Sequence, residues 1–219
     1  QTTAGTVRDG SQETIYRALA MRHMELPVGS FIQDALSEIP ALSADLLRSN
    51  VKDEENHDLA LGYIANALGV DETAEAEAKR LRDAWEAHPD HTVLKALVAE
   101  RAIFFVLLPF FRFNGDAGLR TVSADISRDE QVHVAANSLV CKELGLEISP
   151  SLDKLRKATI NWVMSPLKAS TNKYLDKKFW LDASDRLMYE GKAPELSDTK
   201  RARMPAFFEH ANPNLPQYA

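Results

Sequence analysis

Two copies of one short pattern carry the chemistry of this chain. Glu54-Glu55-Asn56-His57 and Glu130-Gln131-Val132-His133 each read Glu-x-x-His. On a helix, residues three apart share a face, so each copy aims one carboxylate and one imidazole in the same direction. Two such helices facing each other offer two carboxylates and two imidazoles to a common point. One further Glu from each of two more helices completes the ligand set of a di-metal carboxylate site in a four-helix bundle.

The two further glutamates follow from geometry. In an antiparallel helix pair, residues equally far from the connecting turn lie level. Asn114-Gly115-Asp116-Ala117-Gly118 is a turn between the two patterns, and Glu130 lies 14 residues beyond its centre at Asp116. A level partner is expected near residue 102, and Glu100 stands there. It is the only acid between Asp90 and Asp116 and opens a long apolar run. In the first half, the chain breaks around Glu38-Ile39-Pro40, because the residue before a proline is driven out of the helical region. Glu54 lies 15 residues past Ile39, which places its partner near residue 24. Glu25 fills that position. The expected metal ligands are therefore Glu25, Glu54, His57, Glu100, Glu130 and His133.

A single Glu-x-x-His on a solvated helix carries no message by itself; the repetition, with a level Glu for each copy, makes the constellation specific. Glu100 adds its own argument, since a charged carboxylate inside an apolar run is costly to bury and metal coordination removes that cost. His23, close to Glu25, is read as a surface residue.

Helices are expected nearly throughout. The first runs from about Gln12 to Ser37, capped by Ser11 and bent near Pro27 and Gly29. A second spans about Ser43 to Leu68 and stops at Gly69. Asp71 or Thr73 caps a short charged helix that ends near Glu86. Thr92 starts the apolar helix carrying Glu100, and about Leu119 to Leu144 carries Glu130 and His133. Ser151 caps a helix containing Trp162, and another covers about Thr171 to Tyr189. The reading is all-α, a single ferritin-like four-helix bundle with additional helices, with a flexible N-terminus over about residues 1–10 and a C-terminal tail over about residues 204–219.

Composition excludes several function classes. The chain has 219 residues, 45% hydrophobic and 26% charged, an ordinary globular balance able to bury a substantial core. A formal net charge of −6 leaves no basic footprint for nucleic acid. Cys141 is the only cysteine, so no internal disulfide framework exists and a reducing, cytoplasmic setting is expected. Residues 1–12 contain no apolar segment of the signal-peptide kind. The longest apolar run, Ala102 to Phe111, is interrupted by Pro109 and too short for a bilayer, so no membrane partner is expected.

The segment Glu100-Arg101-Ala102-Ile103-Phe104-Phe105, then Gly118-Leu119, Ser123 and Ile126-Ser127-Arg128-Asp129-Glu130-Gln131-Val132-His133, resembles the small, radical-generating subunit of class I ribonucleotide reductase. Outside Glu100 to His133 the resemblance is thinner. It extends to Glu54–His57, to Glu25 in place of the family's first carboxylate, and loosely to Asn212-Pro213-Asn214-Leu215-Pro216. It implies a homodimeric partner of the reductase large subunit, active in deoxyribonucleotide synthesis for DNA replication. Its cofactor would be two iron ions, a manganese–iron pair or two manganese ions. The resemblance further implies that Asp129 hydrogen-bonds a ligand histidine, that Phe104 and Leu108 wall off a reactive centre, and that Tyr218 relays a radical to the large subunit.

One position departs from the family. The radical-bearing tyrosine that usually stands four residues after the first ligand histidine is replaced by Leu61, and Tyr63 lies on another side of the helix. No tryptophan precedes Glu54, where Asn50 and Val51 stand. Either the oxidising equivalent stays on the metals, or another tyrosine serves, or the chain is not a reductase subunit. The alternative function is a di-iron oxygenase or oxidase acting on its own organic substrate. Iron storage and a purely structural bundle form a third class, against which the extra helices after Ser151 argue.

Overall fold

The computed structural model of the chain describes residues 6–196. In chain order it contains α1 (Gln12–Ala20), a 3-10 turn (Met21–Met24), α2 (Glu25–Ala35), α3 (Ala41–Leu68), α4 (Glu72–Glu86) and α5 (Thr92–Ala99). A π-helical turn (Glu100–Phe104) leads into α6 (Phe105–Asn114), followed by α7 (Ala117–Glu143), α8 (Pro150–Met164), a 3-10 turn (Lys173–Leu175) and α9 (Lys177–Glu190). Among the described residues the only β pairing is an isolated bridge between Lys168 and Asp176. The fold is all-α, and none of the described helices is long and apolar enough to cross a membrane. The expected tail over residues 204–219, with Tyr218, lies outside the described residues.

Four members make the centre: α2, α3, the α5–α6 rod and α7 pack on one another, as a ferritin-like bundle requires. The α5–α6 rod is apolar on nearly every side, and all its residues from Val93 to Asn114 are buried except Arg101 and Phe105, which are half-buried. A helix of that composition has to be surrounded. The remaining helices surround the bundle, with α1 against α4 and α8, and α9 against α8 and the π turn. Trp85 of α4 is fully buried, and its indole nitrogen donates to Thr159 Oγ1 of α8 at 3.1 Å.

Local sequence explains where the helices begin. Asp71 caps α4 by accepting from Ala74 N at 2.7 Å, and Asp116 caps α7 by accepting from Leu119 N at 2.9 Å, each satisfying an orphan amide of a first turn. Gly115 lets that turn close: a Cβ there would stand 2.5 Å from Phe111 O and 2.6 Å from Leu119 Cβ. The helix containing Trp162 starts two residues earlier than expected, because Ser149, not Ser151, accepts from Leu152 N at 3.1 Å and Pro150 occupies the first helical position. Ser11 stands at the head of α1, but its hydroxyl donates to Arg8 O at 2.6 Å instead of capping. Arg8 in turn fixes part of the expected flexible N-terminus, donating through its backbone N to Asn114 O at 2.8 Å and through its side chain to Phe113 O at 3.1 Å.

Two irregularities lie next to the site. The first helical rod tightens into the 3-10 turn at Met21–Met24, one turn before Pro27. Pro27 offers no amide to the carbonyl four residues back, at His23, and its ring crowds that carbonyl. Pro27 then sits in the first turn of α2, where a missing N–H costs little. Pro109 has the same relation to Phe105, and the π turn occupies Glu100–Phe104 immediately before it. π turns recur where a helix must present a functional side chain, and this one starts at Glu100.

Candidate metal centre

The six residues singled out by spacing converge in the bundle centre. Glu25 comes from α2, Glu54 and His57 from α3, Glu100 from the π turn, and Glu130 and His133 from α7. None is more than 2% exposed. One potential ligand atom from each of Glu25, Glu54, His57 and Glu130 lies within 4.8 Å of the others, and the same holds for Glu54, Glu100, Glu130 and His133. The two quartets share Glu54 and Glu130. Each quartet also has one private carboxylate and one private imidazole. Each quartet could hold a cation, and the two carboxylates common to both are those that share a helix with a histidine.

The donor chemistry fits such a pair. Glu54 and Glu130 have no hydrogen-bond partner for either carboxylate oxygen, nor do Glu25 Oε2, Glu100 Oε1 and the Nδ1 atoms of His57 and His133. Several are close without hydrogen-bond geometry: His133 Nδ1 is 3.1 Å from Glu54 Oε1 and His57 Nδ1 is 3.4 Å from Glu130 Oε1. Buried polar atoms normally have partners, and here the orphans all point inward to one place. Four carboxylates also carry the charge that balances two divalent cations. These buried Glu and His clusters can hold metal.

Proton affinities are displaced as expected for acids crowded together out of water. Burial first, then the charge of Glu54, raises Glu130 from 4.5 to about 7, against the pull of His57 and His133. Glu25 and Glu100 are also pushed well above the ordinary range, chiefly by burial and then by neighbouring carboxylates. Burial opposes ionisation of Glu54 too, but the close approach of the His133 and His57 imidazoles outweighs it and brings Glu54 down to about 2. Both histidines are raised: burial disfavours their charge, yet the surrounding carboxylates more than compensate. Without metal, protons take the place of the cations.

The outward sides of the imidazoles are braced crosswise. His57 Nε2 of α3 lies 3.2 Å from Asp129 Oδ2 of α7, and His133 Nε2 of α7 lies 3.1 Å from Asp53 Oδ2 of α3. With each carboxylate accepting the Nε2 proton, Nδ1 is left facing inward as a ligand, the arrangement that orients metal-binding histidines. The rings lie 5.9 Å apart, tilted by 32°. Asp129 stands where the resemblance implies. Asp53 was missed, although both copies extend to the same pattern, Asp53-Glu54-x-x-His57 and Asp129-Glu130-x-x-His133; reading one residue further back finds it.

Compared with known proteins, the chain matches no family model, no curated sequence and no solved structure.

Other expectations resolve from the geometry. His23 is not a free surface residue: its Nε2 is 2.6 Å from Glu75 Oε2, and the same carboxylate holds Arg22 through both oxygens, at 2.6 and 2.8 Å. This ties the 3-10 turn to α4 beside Glu25. Leu61 is buried and Tyr63 is exposed. Phe104 and Leu108 are buried on the rod that carries Glu100. Within Ile126-Ser127-Arg128-Asp129, Ile126 is core, Ser127 accepts from Arg112 at 2.9 Å, and Arg128 only pairs with exposed Asp125 at 3.0 Å. Asn137, not foreseen, donates from Nδ2 to Glu100 Oε2 at 2.7 Å. Gly29 permits α2 to approach α3 here, since a Cβ would lie 3.3 Å from Glu54 Cβ.

Proposed function

We propose that the chain is a radical- or oxidant-generating subunit of a class I ribonucleotide reductase, built on a di-metal centre of Glu25, Glu54, His57, Glu100, Glu130 and His133. The observation that carries the reading is the pair of quartets sharing Glu54 and Glu130, joined to the run from Glu100 to His133 that resembles the family. Iron and manganese suit four carboxylates and two imidazoles, whereas zinc favours smaller sites richer in nitrogen or sulfur.

When bound, the metal pair supplies one-electron redox chemistry with an oxidant. The chain's residues do the rest. Glu54 and Glu130, which belong to both quartets, would be shared between the two positions. Asp53 and Asp129 hold the imidazoles in the tautomer that presents Nδ1. Phe104 and Leu108 keep water from the apolar side. The oxidising equivalent would go to a large subunit that reduces ribonucleotides, with the small subunit as a cytoplasmic homodimer. With Leu61 in the tyrosine position, no phenol stands four residues after His57 to take it up.

Leu61 also favours a second reading, a di-iron oxygenase or oxidase with its own organic substrate. One experiment separates the two. The metal-loaded chain is mixed with a class I large subunit and a ribonucleoside diphosphate; deoxyribonucleotide formation that depends on Glu130 supports the reductase reading. No complex with the large subunit and no turnover, alongside oxygen consumption stimulated by small organic substrates, supports the oxygenase.

A further inference from the structure

Beyond the six ligands, the facing helices α3 and α7 each bury a carboxamide. Asn50 and Asn137 are both fully buried. Asn50 shares the inward stripe of α3 with Glu54 and His57, four and seven residues on. Asn137 follows His133 by one turn on α7. Because His57 is level with Asp129 and Asp53 with His133, α3 and α7 run antiparallel. Three residues from Asp53 toward the start of α3 is Asn50; three residues from His133 toward the end of α7 is Ala136, the neighbour of Asn137. The two carboxamides therefore occupy one layer, beyond the carboxylates on the Glu100 side.

Their hydrogen bonding is incomplete in a complementary way. Asn137 Nδ2 donates to Glu100 Oε2, but Asn137 Oδ1 has no partner, and neither Nδ2 nor Oδ1 of Asn50 has one. Leaving three amide atoms dry is unfavourable. Water is the occupant that matches: it accepts from Asn50 Nδ2, donates to Asn137 Oδ1, and supplies a donor for Asn50 Oδ1, and buried water typically gathers two to four such contacts.

We propose that Asn50 is a positioning residue for Glu100, acting through buried water that joins its carboxamide to that of Asn137. The consequence lies in the two-faced nature of an amide. Asn137 serves an ionised, metal-binding Glu100 only with its NH2 turned toward the carboxylate; reversed, its carbonyl oxygen would face another oxygen. Water anchored by Asn50 holds Asn137 Oδ1 outward, which fixes Oε2 of Glu100 and leaves Oε1 as the ligand atom. The functional meaning of this relay rests on the metal-centre reading; the relay itself does not.

The test uses the full chain and the variants Asn50→Leu, Asn50→Ser, Asn137→Leu and the double Asn50→Leu/Asn137→Leu. In metal-free protein, each single Leu variant lowers Tm, and the double lowers it by less than their combined effect, the mark of coupled sites. In manganese titrations against a chelator, Asn50→Leu weakens one of the two bound ions about tenfold, as loss of an outer partner does; Asn50→Ser, which keeps a hydroxyl and room for water, stays close to wild type. If Asn50→Leu does not fold, Asn50→Ala carries the same comparison. A higher Tm for Asn50→Leu with additive effects, or two unchanged metal affinities, overturns the relay. Coupled Tm values in a wild type that binds no manganese keep the water bridge and overturn the metal centre instead.

Discussion

His57 of α3 reaches Asp129 of α7 at 3.2 Å, and the contact recurs in reverse between His133 and Asp53 at 3.1 Å. Each Asp-Glu-x-x-His helix thus orients the histidine of the other. Outer carboxylates of this kind fix ring orientation, and their loss typically costs 10–100-fold in metal affinity. Asp53→Ala and Asp129→Ala are each expected to weaken metal binding by that order. Chelator competition would reveal it, with little change in metal-free Tm because both aspartates are partly exposed, at 34% and 48%.

The metal-free protein should lose stability as the pH rises, and the loaded protein should not. Glu130 has its folded value raised from 4.5 to about 7. Its contribution is fully present below 4.5 and is lost as pH climbs through about 7. Glu25, Glu100, His57 and His133 are displaced in the same direction. Glu54, lowered to about 2, works oppositely, giving stability above its ordinary value that is lost as pH falls toward 2. Thermal unfolding of metal-free protein should therefore be highest near pH 5 and fall toward pH 8. Metal binding must release the retained protons, so affinity rises over the same range, and a titration in weakly buffered solution should record the acid released.

Glu100→Gln separates folding from metal binding. The carboxamide oxygen still accepts from Asn137, and a buried acid without a cationic partner is removed. The expected result is an unchanged or higher Tm in metal-free protein, with bound metal falling from two ions per chain to one by elemental analysis.

Gly29→Ala sets helix propensity against packing. Alanine favours the helix by about 1 kcal/mol, but its Cβ would lie 3.3 Å from Glu54 Cβ and 3.5 Å from Cγ. Unfolding should shift by only a few degrees, while displacement of Glu54 weakens both metal positions. A loss on the order of tenfold, about 1.4 kcal/mol, is expected by the same chelator competition.

The sequence makes the convergence of six side chains legible because two strong regularities meet: Glu-x-x-His fixes a shared face within a helix, and antiparallel pairing fixes a shared level between helices. Glu25 and Glu100 are reached by that second rule although no motif marks them. What escapes it has local causes. Pro27 and Pro109 signal irregularity, but the distortion falls upstream of each: the 3-10 turn at Met21–Met24 includes His23, whose carbonyl Pro27 crowds, and the π turn at Glu100–Phe104 ends just before Phe105, whose carbonyl Pro109 crowds. Ser149 wins over Ser151 as a cap because Pro150 suits the first helical position. Asp53 is marked only by the repeat read one residue further back, as Asp-Glu-x-x-His; Asn50 and Asn137 act across helices, and nothing in their own neighbourhood distinguishes them from ordinary polar residues.

The most direct measurement is elemental analysis combined with electron paramagnetic resonance on protein loaded with manganese, iron or both and then exposed to dioxygen. The account predicts two metal ions per chain, a magnetically coupled signal, and no tyrosyl signal, since Leu61 leaves no phenol beside His57. Protein that retains no metal after loading, with Glu100→Ala leaving its stability unchanged, would contradict the six-residue centre itself.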